Sequence, residues 1–263
     1  MRTQQKSRYH VRWANSATDL RAAQRLRYRA FIAGSGAEER VNGRDSDRFD
    51  EICHHILIEE ATTGRIVATC RVLALDSGSD IGQSYSAQYY ALDALEAFKS
   101  PMAEMGRFCI EPGLTDPDIV RVAWGALATF VDREDVGMLF GCSSFKGTKA
   151  SNYADAFAVL RDRHLAPKRW WPKVKAPNVF RFARKPRPTP DRTKAFKSMP
   201  PLLRSYLRMG GWVSDHAVVD RDLNTLHVFT GLEIGAIPKA RAKALRAIAL
   251  GMQWPTGADA KQH

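Results

Sequence analysis

The order in which helical and strand-like patterns follow each other constrains the fold of this chain more than any other feature. Residues 18–31 repeat apolar side chains at helical spacing, and Ser16 and Asp19 have the spacing of a capping box. Two apolar runs then flank a Gly-containing turn at 61–64, which is typical of a β-hairpin. The predicted elements are a helix at 18–31, strands at 53–59, 65–73 and 105–110, a helix at 116–130, a strand at 138–142 and a helix at 150–162. This alternation predicts one α/β domain, with a sheet covered by helices.

The sequence carries no pattern that predicts export or insertion into a membrane. Its start is basic and polar, and its longest apolar stretch, residues 122–131, is far shorter than the roughly 20 residues that span a bilayer. The four cysteines are Cys53, Cys70, Cys109 and Cys142. They show no CxxC spacing, which favours buried thiols in a reducing compartment over disulfides or a metal site. We therefore expect a cytoplasmic protein, and Cys109 or Cys142 as a nucleophile is the alternative.

The net charge of +12 is concentrated in one part of the chain. Between residues 161 and 209, fifteen Lys and Arg residues face only two acidic residues, so the rest of the chain is close to neutral. This segment also holds eight prolines, and its aromatic residues include Trp170, Trp171, Phe180 and Phe182. So localised a field predicts an acidic partner, which can be a nucleic acid, an anionic membrane or an acidic protein. Beyond the basic segment we expect a helix at 202–209, strands at 216–219 and 226–232, and a helix at 239–250.

A set of short patterns, taken in order, resembles one family of bacterial enzymes. The patterns are RYRAF at 27–31, DRFD at 47–50, CHH at 53–55, RVL at 71–73, YS at 85–86, EMGRF at 104–108, FGCSSF at 140–145, MPPLLRSYLRMG at 199–210, AVVD at 217–220 and NT at 224–225. Together they resemble the ornithine–acyl carrier protein N-acyltransferases, which make lyso-ornithine lipid. The first half is also similar to acyl-homoserine lactone synthases. The likeness extends over about residues 18–235.

The change to a basic, proline-rich composition divides the chain into a core at residues 1–165 and a C-terminal extension at 166–263 that completes the acyltransferase. The resemblance implies a GNAT-like fold, with a mixed central sheet and helices on both faces. It implies transfer of a long-chain (3-hydroxy)acyl group to the α-amine of an amino acid, ornithine first, with glutamine or lysine as alternatives. The lactone synthases usually carry a Trp shortly after the first helix, where this chain has GSGAEER at 34–40. This departure disfavours an activity that uses S-adenosylmethionine.

Amide formation from a thioester needs a neutral amine, a stabilised oxyanion and an oriented acceptor, and it needs no covalent enzyme intermediate. By resemblance to the Glu-x-x-Arg motif of the synthases, Glu104 is the candidate base and Arg107 its catalytic partner. Three positions along a strand place two side chains on opposite faces, so both can line one pocket only if a bulge lies between them. Such a bulge is common in this strand of GNAT folds, and its freed backbone N–H can act as an oxyanion donor.

Four further residues are candidates for binding the acceptor amino acid: Arg27, Asp47, Asp50 and Arg71. An Arg can bind a carboxylate through two parallel hydrogen bonds, and the two aspartates suit a cationic side chain. A solvated acidic loop is the alternative interpretation for Asp47 and Asp50. His54 and His55 are adjacent and so face opposite sides of a strand, and we expect no metal site.

The identity of the acyl donor is predicted from the absence of the glycine pattern that binds coenzyme A. Coenzyme-A-using GNAT enzymes hold pyrophosphate with a Gly-rich loop at a helix N-terminus, whereas residues 111–119 here are acidic and lack those glycines. This favours a phosphopantetheine arm that enters on acyl carrier protein, with no separate cofactor. Lys168, Arg169, Lys173 and Lys175 are the candidate carrier-docking residues, and an anionic membrane is another possible partner of the basic segment. Nucleic-acid binding is the rival function, but no nucleic-acid-binding motif accompanies the charge.

Overall fold

The computed structural model describes residues 8–40, 42–184 and 189–250. The strands are β1 (Tyr9–Trp13), β2 (His54–Glu60), β3 (Ile66–Leu75), β4 (Tyr90–Ala91), β5 (Met102–Ile110), β6 (Met138–Lys146), β7 (Lys173–Val174), β8 (Val179–Phe180), β9 (Trp212–Val213), β10 (Ala217–Asp220) and β11 (Thr225–Glu233). The helices are α1 (Ala17–Phe31), α2 (Pro117–Arg133), α3 (Ala154–Arg163), α4 (Arg192–Ser198), α5 (Pro201–Arg208) and α6 (Lys239–Leu250). Residues 251–263 of the predicted extension lie outside the described residues.

Nine of the described strands form one mixed sheet. Its order is β1-β2-β3-β5-β6-β11-β10-β8, with β9 also paired to β11. Every neighbouring pair is antiparallel except β5 and β6, which run parallel. The central mixed sheet expected from the sequence is therefore confirmed.

Helices cover both faces of this sheet. Side chains alternate along a strand, and on β3 Cys70 and Val72 pack into the buried cluster that contains the apolar side of α2. Arg71, between them, faces the opposite side, where α1 lies against β3 and β5. Ser16 of the predicted capping box caps α1, since its Oγ accepts a hydrogen bond from the backbone N–H of Asp19 at 3.1 Å, but the Asp19 carboxylate accepts from the backbone N–H of Asn15 instead of that of Ser16.

The sequence patterns do not predict β1 or α4. β1 is a short edge strand that pairs with β2, and its polar positions weaken its apolar signal. Its Arg12 donates to Asp19 of α1 at 2.6 and 2.8 Å. α4 lies within the proline-rich segment and is capped by Asp191, whose carboxylate accepts from the backbone N–H of Lys194 at 3.0 Å.

The two parallel strands separate partway along their length. β5 and β6 pair from Met102 and Met138 to Glu104 and Phe140, whereas β6 stays paired with β11 as far as Lys146. At the last contact the backbones approach so closely that a Cβ at Gly141 would overlap the carbonyl oxygen of Met105. Beyond this point β5 and β6 are no longer paired, so the sheet is split between β5 on one side and β6 with β11 on the other, and this split is the cleft.

The predicted extension contributes strands to the same sheet as the core. β8, β10 and β11 continue the sheet beyond β6, and β7 pairs with β4 in a separate two-stranded ribbon. Trp170 packs edge-on against Phe98, and Ala166 and Ala176 are buried in the same cluster. The boundary between residues 165 and 166 stays a prediction.

Candidate functional site

A β-bulge in β5 brings Glu104 and Arg107 to the same face of the sheet. Arg71 pairs with Gly106 and Thr69 pairs with Cys109, so β5 has one extra residue between these two pairs. Arg107 has a φ of 53°, which is uncommon for a residue other than glycine and marks the bulge. Both side chains consequently contact Tyr85: its backbone N–H donates to Glu104, and its ring lies 4.9 Å from the Arg107 guanidinium carbon.

Three arginines and three aspartates form a buried network on this face. Arg27 of α1 binds Asp50 through two hydrogen bonds of 2.7 and 2.8 Å. Arg71 of β3 binds Asp47 at 2.5 and 2.9 Å and Asp50 at 2.9 Å. Asp45 joins the network by accepting from Nε of Arg27 at 3.0 Å and from Nε of Arg107 at 2.9 Å, and Arg107 also reaches Asp47 at 3.3 Å. The six opposite charges neutralise one another.

The degree of burial divides the network into an inner part and an outer rim. The side chains of Arg27 and Asp50 are 1% and 3% exposed, whereas those of Arg107 and Asp47 are 12% and 24% exposed. Burial alone would raise the pKa of Asp50, but the hydrogen bonds and positive charge of Arg27, helped by Gln24 and Arg71, hold that pKa well below its ordinary value. Arg27 and Asp50 therefore anchor the loop to α1, and Asp47 and Arg107 border the cleft.

Sequence reasoning named five of these six network residues and missed Asp45. The residue follows Arg44 in a run of alternating charge, and only the fold shows that Arg27 and Arg107 share its carboxylate. The structure brings Arg27, Asp47, Asp50, Arg71 and Arg107 together as one group, although they are far apart in the chain. Their roles in substrate binding and catalysis stay predictions.

The Glu104 carboxylate is buried and holds the turn at Tyr85 and Ser86. It accepts from the two backbone N–H groups, each at 2.7 Å, and from Ser86 Oγ at 2.5 Å. Burial raises its pKa above the ordinary value, and the three hydrogen bonds offset this only in part. A carboxylate of this kind binds a proton more readily than an exposed one, as a general base requires.

The cysteines and Ser143 do not have the surroundings of a nucleophile. All four cysteines are free. Burial raises the pKa of the Cys53 thiol to about 12, and it also raises the pKa of the Cys142 thiol. Cys109 is buried, and its pKa is likewise raised by burial. The hydroxyl of Ser143 is buried and accepts from Thr230 Oγ1 at 2.9 Å. A thiol that keeps its proton is a weak nucleophile, so this arrangement favours direct attack by the acceptor amine.

Carboxylates already occupy the surroundings of the α2 N-terminus. Asp116 caps the helix by accepting from the backbone N–H of Asp118 at 2.9 Å, and it accepts from Tyr9 Oη at 2.7 Å. Glu111, earlier in the same loop, is paired with Arg29 at 2.5 and 3.0 Å. These carboxylates are ion-paired, Asp116 with Arg8 and Glu111 with Arg29, and the Asp116 side chain already caps the helix end where a pyrophosphate would bind.

The four candidate carrier-docking residues, Lys168, Arg169, Lys173 and Lys175, are all exposed. Arg169 pairs with Glu233 at 2.9 Å, Lys173 with Asp93 at 3.4 Å, and Lys175 donates to the carbonyl of Ala87 at 2.6 Å. Of the four aromatic residues named from the sequence, Phe182 is buried and stacked on Phe157, so its ring is not open to a nucleic-acid base.

An apolar cavity of about 600 Å³ lies on the other face of the sheet, between α2 and α6. Its walls include Trp124, Leu127, Leu139, Leu232 and Leu245. Such a lining suits hydrocarbon and not a charged amino acid. No described group of His, Cys, Asp or Glu side chains is arranged to hold a metal ion. None of the helices in the described ranges is long and apolar enough to cross a membrane.

Comparison with known proteins identifies the family. The acetyltransferase (GNAT) domain model matches residues 26–125. The chain is 33% identical over 238 residues to the L-ornithine N(alpha)-acyltransferase of Rhodobacter capsulatus, and the aligned region covers 87% of this chain and 91% of the relative. It is 31% identical to the enzyme of that name from Brucella abortus, covering 86% and 85%. A solved CoA-dependent acyl-homoserine lactone synthase shares the fold at 14% identity, with a TM-score of 0.50 and coverage of 93% of this chain and 90% of that one. The chain is therefore an acyltransferase with a GNAT-like fold and belongs to the L-ornithine N(alpha)-acyltransferase family.

Proposed function

We propose that this protein transfers a long-chain, 3-hydroxylated acyl group from acyl carrier protein to the α-amine of L-ornithine, giving lyso-ornithine lipid. The observation that carries the proposal is the identity of about one third, over most of both chains, to an enzyme named L-ornithine N(alpha)-acyltransferase. The cleft beside the split of β5 and β6 supports it, because a buried carboxylate and a bulged strand lie there together. The reaction takes place in this cleft.

In the reaction the neutral α-amine attacks the thioester carbonyl carbon, and a C–N bond forms. The carbonyl oxygen then carries negative charge, which a backbone N–H of the β5 bulge and the Arg107 guanidinium stabilise. The C–S bond breaks, and the phosphopantetheine thiolate leaves on the carrier. Glu104 takes the proton that the nitrogen loses, and its raised pKa suits that task. Asp47, at the exposed rim of the network, keeps Arg71 and Arg107 in place beside the acceptor.

A carrier protein suits the donor side better than coenzyme A does. The Asp116 side chain already caps the α2 N-terminus, where a pyrophosphate would bind, and a phosphopantetheine arm on a carrier has no pyrophosphate. Acyl carrier proteins are acidic, and the exposed cations of Lys168, Arg169, Lys173 and Lys175 provide a complementary surface. We expect the protein to work in the cytoplasm, against the inner face of the membrane that receives its product.

The test uses the purified full-length chain with 3-hydroxyacyl carrier protein or the matching coenzyme A thioester. L-ornithine, L-lysine and L-glutamine are offered separately, and the products are identified by mass spectrometry. The proposal expects an Nα-acylated ornithine, formed much faster from the carrier thioester. Equal use of both thioesters would remove the carrier from the proposal, and a preference for glutamine would replace the acceptor. Lipids from cells that express the protein should contain the same product.

A further inference from the structure

The described carboxylates around Arg107 are already engaged, so none of them is free to pair with the side-chain ammonium of a cationic acceptor. The carboxylates of Asp45, Asp47 and Asp50 are each paired with two arginines. Glu104 accepts three hydrogen bonds from its own chain. A side-chain ammonium that enters the cleft nevertheless requires a negative partner, because an unpaired charge loses its hydration there.

Asp220, at the end of β10, is a buried carboxylate without a cationic partner among the described residues. It is 7% exposed, and its Oδ1 accepts from the backbone N–H of Leu223 at 3.0 Å. No nitrogen of a described Lys, Arg or His forms a salt bridge with it. Burial raises the pKa of Asp220, since the charged form is poorly solvated, and the hydrogen bond from Leu223 and the charge of Arg107, which forms no salt bridge with it, offset this only in part. A cationic ligand would relieve that cost.

Two side chains connect Asp220 to the catalytic wall of the cleft. Val218, two residues before Asp220 on β10 and therefore on the same face of the sheet, lies in the apolar cluster against which Tyr89 and Cys142 pack. Tyr89 Oη lies 3.3 Å from Tyr85 Oη, and Cys142 Sγ lies 3.4 Å from Ser86 Oγ, which donates to Glu104. Asp220 therefore lies on the same face of the sheet as Tyr89 and Cys142, which contact the turn that Glu104 binds.

The turn that follows Asp220 is joined to the loop that follows α1. Asn224 Nδ2 donates to the carbonyl of Ser35 at 2.9 Å, and the backbone N–H of Glu38 donates to the carbonyl of Asp222 at 3.3 Å. The loop leads on to Asp45 and Asp47, so one continuous segment links the turn to the network. This contact sets the distance between the Asp220 carboxylate and the Arg107 side of the cleft.

We propose that Asp220 binds the side-chain ammonium of the acceptor amino acid and so selects a cationic acceptor over a neutral one. The inference rests on the proposed function and adds the residue that determines its specificity. The α-amine then lies toward Glu104 and the thioester, with the side-chain ammonium at the opposite end of the cleft. The span between the two ends selects the length of the acceptor.

The experiment compares two acceptors that differ only in the cation. L-norvaline has the carbon chain of L-ornithine without the side-chain amine. The ratio of kcat/KM for the two is measured with acyl carrier protein as donor, for the wild type, Asp220→Asn and Asp222→Asn. We expect Asp220→Asn to lower the ornithine-to-norvaline ratio roughly 10- to 100-fold, the usual loss for a hydrogen bond to a charged group. Asp222→Asn, a change at an exposed neighbour in the same turn, should leave the ratio unchanged.

Each outcome decides for or against Asp220. The asparagine oxygen can still accept from Leu223, and a ratio measured in one preparation does not depend on the folded fraction. Asp220→Glu is a second test, because it keeps the negative charge but moves it one methylene further into the cleft. This variant should favour L-2,4-diaminobutyrate, which is one methylene shorter than L-ornithine. Unchanged ratios in both variants would overturn the inference while the proposed function stands. A wild type that does not acylate ornithine would instead overturn the proposed function.

Discussion

The arginine–aspartate network and the basic segment at residues 161–209 use charge in opposite ways. In the network, positive and negative groups are equal in number, and the side chains of Arg27 and Arg71 are 1% and 3% exposed. In the basic segment the cations far outnumber the acids, and Arg169 and Lys173 are 65% and 66% exposed. The buried, balanced charges hold the geometry of the site, and the exposed, unbalanced charges produce a field that reaches a partner. Changes in the first region should therefore affect catalysis and stability, and changes in the second should affect encounter with the donor.

The largest effect is expected at the carboxylate beside the network. Glu104→Gln should lower kcat roughly 100- to 10,000-fold, the usual contribution of a general base. Steady-state kinetics with saturating donor would measure this loss. Ser86→Ala serves as the control, because it removes a hydrogen bond that lowers the pKa of Glu104 and leaves the carboxylate in place. The acidic limb of the rate profile should then move to higher pH, and a full rate in Glu104→Gln would exclude this residue as the base.

The next largest effect is a loss of stability and is expected at Asp50, in the inner part of the network. Asp50→Ala leaves the buried guanidinium of Arg27 short of its main partner, and it should lower the free energy of unfolding by about 3–5 kcal/mol. Urea denaturation would measure the change. The matched control in the basic segment is Arg169→Ala, whose exposed pair with Glu233 should be worth less than about 1 kcal/mol. Equal losses in the two variants would contradict the distinction between the regions.

A smaller, pH-dependent effect is expected at the rim. Burial would raise the pKa of Asp47, but the hydrogen bonds and charge of Arg71 and the charge of Arg107 lower it below its ordinary value. A depressed carboxylate pKa stabilises the fold above the unfolded value, near pH 4, and the contribution is lost as the pH falls further. Asp47→Asn should therefore be less stable than the wild type at pH 7, and the gap should close as the pH falls below about 4. Thermal unfolding at a series of pH values would show whether the curves converge.

The smallest effect is expected from the exposed cations. Reversing Lys173 and Lys175 to Glu should raise the KM for acyl carrier protein several-fold at low salt and leave kcat nearly unchanged, because surface charge acts on docking more than on chemistry. The same double reversal at Lys194 and Lys197, on the exposed side of α4, is the matched control. The difference between the two variants should disappear at high salt. A fall in kcat for the first variant would show that this segment also shapes the cleft.

The sequence predicted the fold better than it predicted which side chains of the site contact one another. Apolar periodicity located the main helices and strands to within a few residues, because the core selects for that periodicity. Motif resemblance selected Glu104 and Arg107, but only a bulge could place both on one face, and the positive φ of Arg107 follows from pairing between β3 and β5. Asp45 was missed because its partners Arg27 and Arg107 are far away in the chain, and Asp220 was noted only as the last residue of the AVVD pattern because its burial depends on the fold.

What the sequence determined by itself was the order of elements, the surplus of positive charge after residue 161 and the residue types that this acyl transfer needs. These properties are local or additive, so they can be read without a fold. Only the tertiary structure decided which charges cancel. Three arginines and three aspartates, separated by as many as 80 positions, become one neutral group because α1, the loop before β2, β3 and β5 meet at one place. The strength of a charge depends on its distance to its partners and on its access to water, and both are set only when the chain has folded.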